Sequence, residues 1–365
     1  MNNEKKKFEP LFHLSKRDNL PLWKSILFRV GSILIALLVS GIFISASAKK
    51  SFFGVYKSLF VGAFGGAMNV GVLFQEMALL LCVGLALSLA FKMKFWNLGG
   101  NGQILMGCLA SAMCMYFMGT KAKLSDGIII PVMFITSILA GAIWAAIPAI
   151  FKAFFKTNES LFTLMMNYIA VGLVDYFIAK CFPRGSGIMP PTFKGNLPQL
   201  GNKYVLPILI VAVVTAVIFV YMKYSKQGYE ISVVGDSENT AKYIGINVKK
   251  VIIRTLILSG ALCGMVGFLI TGGISYTVNS EISDNRGFTA IIVAWLAKFD
   301  PLIMILTSFF IAFLSRGMAQ VRTDFGFTNK ALSNIVIALI YFFIIGCEFF
   351  ISYKLSFKKK EGGKK

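Results

Sequence analysis

The chain has 365 residues, of which 56% are apolar before its 34 glycines lift the share to about 65%, against ~45–50% in soluble domains. Charged residues fall to 15%, which excludes a disordered chain and makes a bilayer, not water, the expected solvent. The net charge of +21 invites a nucleic-acid reading, but the lysines gather in the tails (Lys5, Lys6, Lys7; Lys358, Lys359, Lys360) and in short gaps between apolar runs. That is how membrane proteins hold loops on the cytoplasmic side, so no nucleic-acid partner is expected.

In chain order, a basic tail (1–24) leads into a first apolar run at 26–48. Ala46-Ser47-Ala48 resembles a cleavage signal, but the run exceeds the ~7–15 residues of a signal core, and it reads as a retained helix. A spanning helix needs about 20 predominantly apolar residues. Runs that meet or approach this follow at 70–91, 102–118, 127–151, 161–179, 204–222, 255–275, 287–297, 301–315 and 331–352. With ten spans both tails fall on the cytoplasmic side, and 24 of the 37 Lys and Arg lie there with them, the expected bias. Residues 180–203 form an external loop rich in turn formers, 223–254 the longest cytoplasmic loop, and 353–365 a Lys-rich tail near the anionic inner leaflet.

Three runs, 102–118, 287–297 and 301–315, are too short to cross ~30 Å as regular helices. Asn97-Leu98-Gly99-Gly100-Asn101-Gly102 precedes the first and Asn285-Arg286-Gly287 the second. If spans 2–5 and 7–10 are related halves, these runs occupy matching positions with opposite direction. Short, glycine-interrupted segments at equivalent places of inverted repeats point to a transporter's substrate site; the alternative is that the glycines only let helices pack closely. The expected fold is all-α: a polytopic membrane domain over 25–352 with about ten transmembrane helices in two inverted-topology halves.

In the 223–254 loop, Asp236 and Ser237 are good N-caps and Glu238 suits the first turn of a helix. Ala241, Tyr243 and Ile244 supply apolar contact, Lys242 lies between them, Gly245 is a natural stop, and Asn247 can cap the next helix. A short capped helix held between two spans is suited to taking force from a soluble partner. The competing reading is a helix lying flat on lipid.

At this point the residues resemble a known family. Gly228-Tyr229-Glu230-Ile231 through Val234-Gly235, then Asn239-Thr240-Ala241-Lys242-Tyr243-Ile244-Gly245-Ile246-Asn247-Val248, is similar to the cytoplasmic signature of bacterial ABC-importer permeases for nucleosides and simple sugars. These belong to the group that includes the ribose and branched-chain amino acid permeases. Phe95-Trp96-Asn97-Leu98-Gly99-Gly100-Asn101-Gly102-Gln103 matches the nucleoside-type members, as do Asn158-Glu159-Ser160 with Leu164-Met165-Met166-Asn167-Tyr168, and Gly287-Phe288-Thr289-Ala290-Ile291-Ile292-Val293-Ala294. The resemblance covers about 70–350. One departure stands out: the family commonly has a small residue and then an acid where Gly100-Asn101 stand. The resemblance implies a bacterial plasma-membrane subunit paired with a second, paralogous permease, seated on an ATPase with two nucleotide-binding halves and fed by an extracellular substrate-binding lipoprotein. It implies a coupling helix at about 237–248. No G-x-x-x-x-G-K-[ST] stretch occurs, so ATP is used by the partner and no cofactor is expected on this chain.

Few residues suggest other chemistry. His13 is the one histidine, which removes His-ligated metal sites and His-dependent nucleophiles. Six cysteines show no CxxC spacing, so no metal site, disulfide framework or catalytic residue is expected. Intramembrane carboxylates are Glu76, Asp175 and Glu348, too few for a proton relay. Asn97, Asn101, Gln103, Asn167 and Tyr168 are the candidates for the solute path, because amides and a phenol can bond ribose hydroxyls or base edges without burying charge. Their alternative role is bonding between helices. Trp23 and Trp96 read as interfacial anchors. The expectation is the transmembrane subunit of an ABC importer for nucleosides or related ribose-containing or simple sugar solutes. The alternative is an ion-coupled secondary carrier, marked by uptake that survives loss of the ATPase but collapses with an uncoupler.

Overall fold

The computed structural model describes residues 12–16, 21–48, 51–183, 185, 187–192, 194–327 and 330–357. Of the expected tails at 1–24 and 353–365, residues 1–11, 17–20 and 358–365 lie outside the described residues. The helices are α1 Leu22–Ala48, α2 Phe52–Phe64, α3 Ala67–Lys92, α4 Gly100–Cys114, α5 Asp126–Phe155, α6 Glu159–Cys181, α7 Val205–Tyr224, α8 Lys226–Asp236, α9 Glu238–Tyr243, α10 Val248–Ile270, α11 Arg286–Leu296, α12 Pro301–Asp324 and α13 Lys330–Ser352. Wider π-helical turns extend α4 over Met115–Lys121 and α10 over Thr271–Ser275. Among the described residues nine helices are long and apolar enough to cross a membrane. The chain is an all-α polytopic membrane protein.

Several expected boundaries move. The run at 102–118 is part of a continuous Gly100–Lys121 helix, and that at 301–315 of the 24-residue α12, so neither is short. The polar groups Arg316, Gln320, Arg322 and Asp324 end the apolar run without ending the helix. Only α11 stays short, at 11 residues, about 16 Å at 1.5 Å per residue. The 13-residue α2 was not expected at all.

Two compact units form, one of residues 63–313 and one of 1–62 with 314–365. In the second unit, β1 Phe12–Lys16 pairs antiparallel with β2 Tyr353–Phe357, Leu14 opposite Leu355, a ribbon where free tails were expected. The ribbon holds the described ends of the chain side by side. Arg29 of α1 grips Glu348 of α13 at 2.6 Å, so one of the expected intramembrane carboxylates is neutralised by its neighbour. Close packing of α2 on the end of α12 requires Gly62 and Gly317, where a Cβ would press on the Arg316 carbonyl oxygen and the Leu59 carbonyl oxygen respectively.

The larger unit is built around α3 and α10. Residues Ala78 to Phe91 of α3 are buried without a break, and α10 is buried from Leu262 to Ile270, the pattern of helices enclosed by other helices. At the contact of α4, α5 and α10 the side chains give way to glycine. A Cβ on Gly141 would land on the Gly260 carbonyl oxygen, one on Gly264 on that of Ser137, and one on Gly107 on that of Gly264. This is small-residue packing, Gly260 and Gly264 being one helical turn apart. Residues 189–192 and 194–197 run beside the segment that follows α10: Met189, Thr192 and Leu197 donate to the Val278, Tyr276 and Gly272 carbonyls.

Candidate functional site

The connection between α3 and α4 turns sharply. Lys94 takes a left-handed φ of 57°, and Lys94 and Phe95 donate back to Phe91 O and Ala90 O at 2.8 and 3.0 Å, the paired bonds of a Schellman stop. Asn97 then folds over the start of α4: its Oδ1 accepts the Gly99 N–H at 3.0 Å and the Gln103 amide at 3.3 Å. From α6, Asn167 accepts the Gly102 N–H at 2.8 Å and donates to Leu98 O at 2.9 Å, while the Thr163 hydroxyl accepts the Leu98 N–H at 3.1 Å.

Asn101 reaches across to α11 and accepts the Gly287 N–H at 2.7 Å. The two glycine-preceded segments singled out in the sequence therefore meet directly. Gly287 must be glycine, since a Cβ there would lie 2.8 Å from the Gly100 carbonyl carbon, and one on Gly100 would sit tightly at 3.2 Å from Gly287 Cα. Asp284 and Asn285 adopt left-handed φ values of 46° and 55° just before α11 starts. Beside the junction Arg286 grips Glu76 of α3 with two nitrogens, at 2.8 and 3.2 Å, and also donates to Ile282 O and Ser283 O. The two side chains keep only 12% and 18% of their exposure. A second of the expected intramembrane carboxylates is thus a neutralised partner, whereas Asp175 lies exposed on α6.

Four of the five expected path residues, Asn97, Asn101, Gln103 and Asn167, are buried and come together here. Tyr168 does not join them: it faces outward at 67% exposure, because it follows Asn167 by one residue and so lies on another face of the helix. The oxygens of Asn97, Asn101 and Asn167 and the Asn167 amide nitrogen are engaged by backbone groups. Buried polar atoms left unpartnered include, at this site, Asn97 Nδ2, Gln103 Oε1 and the Trp144 indole nitrogen, the last beside Gly102. Sequence reasoning missed Thr163 and Trp144. Thr163 stands one helical turn before Asn167, and Trp144 is the one aromatic side chain in the small-residue stretch 141–146, signals that could have found both.

The 223–254 loop is more structured than its sequence suggests. It narrows to 225–247, because α7 ends at Tyr224 and α10 starts at Val248. The unexpected helix α8 is capped by Ser225 and held to α10 by Glu230–Arg254 at 2.6 Å. Asp236, expected as a cap, instead ends α8; Ser237 alone caps α9, accepting the Thr240 N–H. Gly245 at φ 82° stops the helix, with Ile246 N–H on Ala241 O at 2.9 Å. Asn247 caps α10 through Lys250 N–H at 3.1 Å. Ala241 is fully buried while Tyr243 and Ile244 are 96% and 54% exposed, and Glu238 and Lys242 lie on the outer side. The element is anchored inward and presents an apolar tip outward.

Residues 68–345 match the family model described as branched-chain amino acid transport system / permease component. The chain belongs to that family. The permease is similar to the glucose ABC transporter permease protein TsgB13 of Haloferax volcanii, 28% identical with 94% of this chain and 93% of the relative covered. It is also similar to the guanosine ABC transporter permease protein NupP of Bacillus subtilis, 27% identical over 94% and 97% of the two chains. A third relative is the nucleoside ABC transporter permease protein NupB of Lactococcus lactis, 26% identical over 88% and 91%. No solved structure matches. As an ABC importer permease, the chain works with an ATPase and a substrate-binding protein. Among the described residues no group of His, Cys, Asp and Glu could hold a metal ion.

Proposed function

We propose that this permease carries nucleosides or related ribose-containing or simple sugar solutes, is itself non-catalytic, and is driven through the 237–248 segment by an ATPase with two nucleotide-binding halves. A second paralogous permease and an extracellular binding lipoprotein complete the machine, and both tails face the cytoplasm of a bacterial cell. The solute class rests on relatives that are themselves named for glucose, guanosine and nucleosides. The observation that carries the coupling reading is the shape of α9: six residues capped at both ends, Ala241 sunk into the protein, Tyr243 and Ile244 left exposed. An exposed Tyr–Ile pair gains stabilisation when a partner covers it, and a rigid capped helix transmits a push.

The solute path runs beside the α4–α11 junction, where α11 begins part-way along its neighbours, as discontinuous helices do at midplane sites. Asn97, Asn101 and Asn167 hold the wall of the path together in the closed conformation. Gln103 Oε1 and Asn97 Nδ2, unpartnered now, bond solute hydroxyls once the junction opens. The two halves, spans 2–5 and 7–10, are inverted copies whose glycine-preceded segments meet there. Uptake of a radiolabelled panel of nucleosides and sugars in a strain lacking the gene tests the substrate class. Loss of nucleoside or simple sugar uptake, restored by the gene, is the expected result; unchanged uptake of every member overturns the assignment.

A further inference from the structure

We propose that the Lys92–Leu98 connection carries displacement of the 237–248 segment to the Asn101–Gly287 junction, and that Gly235 is the positioning residue that makes this possible. The inference rests on the coupling role assigned to 237–248 above.

On one side the connection touches the coupling loop backbone to backbone. A Cβ on Gly235 would land against the Lys92 carbonyl oxygen and 3.3 Å from Met93 Cα, so no side chain separates the end of α8 from the end of α3. Lys94 Nζ donates to Asp236 O at 3.4 Å. A narrow cleft runs along the contact, lined by Lys94, Phe95, Asp236, Ser237 and Glu238 among others; α9 starts at its rim. A flexible side chain at such a contact would absorb small displacements by changing rotamer, whereas two peptide backbones in contact pass them on.

On the other side the connection has little slack. The Schellman stop fixes Lys94 and Phe95 to α3, and the Asn97 N–H bonds Phe95 O at 3.0 Å. Asn97 Oδ1 then fixes Gly99, both backbone groups of Leu98 are tied to Thr163 and Asn167, and Asn101 holds Gly287. The chain from Lys92 to Asn101 spans the distance from coupling loop to junction through bonded groups. A shift at Ser237 therefore reaches the start of α11 through a handful of residues, without passing through a lipid-facing helix.

The test uses the complete transporter in proteoliposomes: this chain with its partner permease, ATPase and binding protein. Gly235→Ala forces the Lys92 carbonyl away. The expected result is an ATPase subunit that still co-purifies and hydrolyses ATP at no less than half the wild-type rate, with uptake reduced at least tenfold. Ala241→Glu is measured in parallel as the probe of the coupling helix. Normal uptake by Gly235→Ala beside a dead Ala241→Glu overturns the transmission route and leaves the coupling helix standing; normal uptake by both removes the coupling role itself. Where Gly235→Ala fails to assemble, Lys94→Cys with Ser237→Cys, in a background without the native cysteines, is bridged by a short reducible bis-thiol reagent. Segments that move as one body keep uptake within twofold when bridged. Uptake lost on bridging and restored by reduction shows that they slide, and overturns the proposal.

Discussion

Replacing Asn101 by alanine tests the junction most simply. The substitution removes the one oxygen that accepts the Gly287 N–H, inside a contact where Gly100 and Gly287 leave no room for water or a substitute side chain. A buried donor left unpaired costs about 1–3 kcal/mol, which is roughly a 5- to 150-fold bias against the docked state of α11 at ~1.4 kcal/mol per decade. Asn101→Asp keeps an acceptor at the same place, and the favourable position of its charge at a helix N-terminus offsets part of the cost of burying a carboxylate at 6% exposure. The two variants should therefore part company: alanine less stable than wild type by that amount, aspartate between the two. Reversible unfolding in mixed micelles by denaturing detergent, followed by tryptophan fluorescence, reads the difference, since Trp144 and Trp295 lie on helices of this region. Equal stability of the alanine and aspartate variants, within ~0.5 kcal/mol, would refute the reasoning.

Three further outcomes are expected. Glu76→Gln strands Arg286, buried with only 12% side-chain exposure, and should destabilise the permease by about 3–5 kcal/mol, whereas Glu76→Gln with Arg286→Met recovers most of the loss; the same unfolding assay measures both, and a recovery under half contradicts the pairing. Gly264→Ala pushes a methyl group into the Ser137 carbonyl and should cost about 1–3 kcal/mol through overpacking, while Gly172→Ala, which meets nothing, should be neutral or better; thermal aggregation in detergent ranks the two. Gly245→Ala strains a left-handed residue at φ 82° by about 1 kcal/mol and should impair uptake, while Gly245→Asn, which tolerates that conformation, should keep it.

The bilayer was legible from apolar runs alone, because a spanning helix in lipid must be long and continuous. Run lengths misled where a helix outlasts its apolar stretch, as α12 does through Arg316 to Asp324, and where a shorter helix packs on a neighbour, as α2 does through Gly62. The α8 helix was hidden by Gly228 and Gly235, residues of low helix propensity that tight contacts demand. At the junction, the pairing of the 97–102 and 285–287 segments was legible as a pattern, and four of the five chosen polar residues gather there. What the sequence could not disclose is that the side-chain oxygens of Asn97, Asn101 and Asn167 face backbone N–H groups, since capping across helices depends on which helix ends meet. Tyr168 was drawn in by its neighbour Asn167, although a one-residue step turns a side chain ~100° round a helix.

The central claim is that this polypeptide opens and closes a path but draws its energy from ATP hydrolysed elsewhere. Solute uptake into proteoliposomes that hold the complete transporter, compared with vesicles that hold this chain alone under a sodium or proton gradient, tests it directly. Accumulation only with ATP, the ATPase and an intact 237–248 segment is the predicted result. Concentration of solute by the isolated chain on an ion gradient would contradict it.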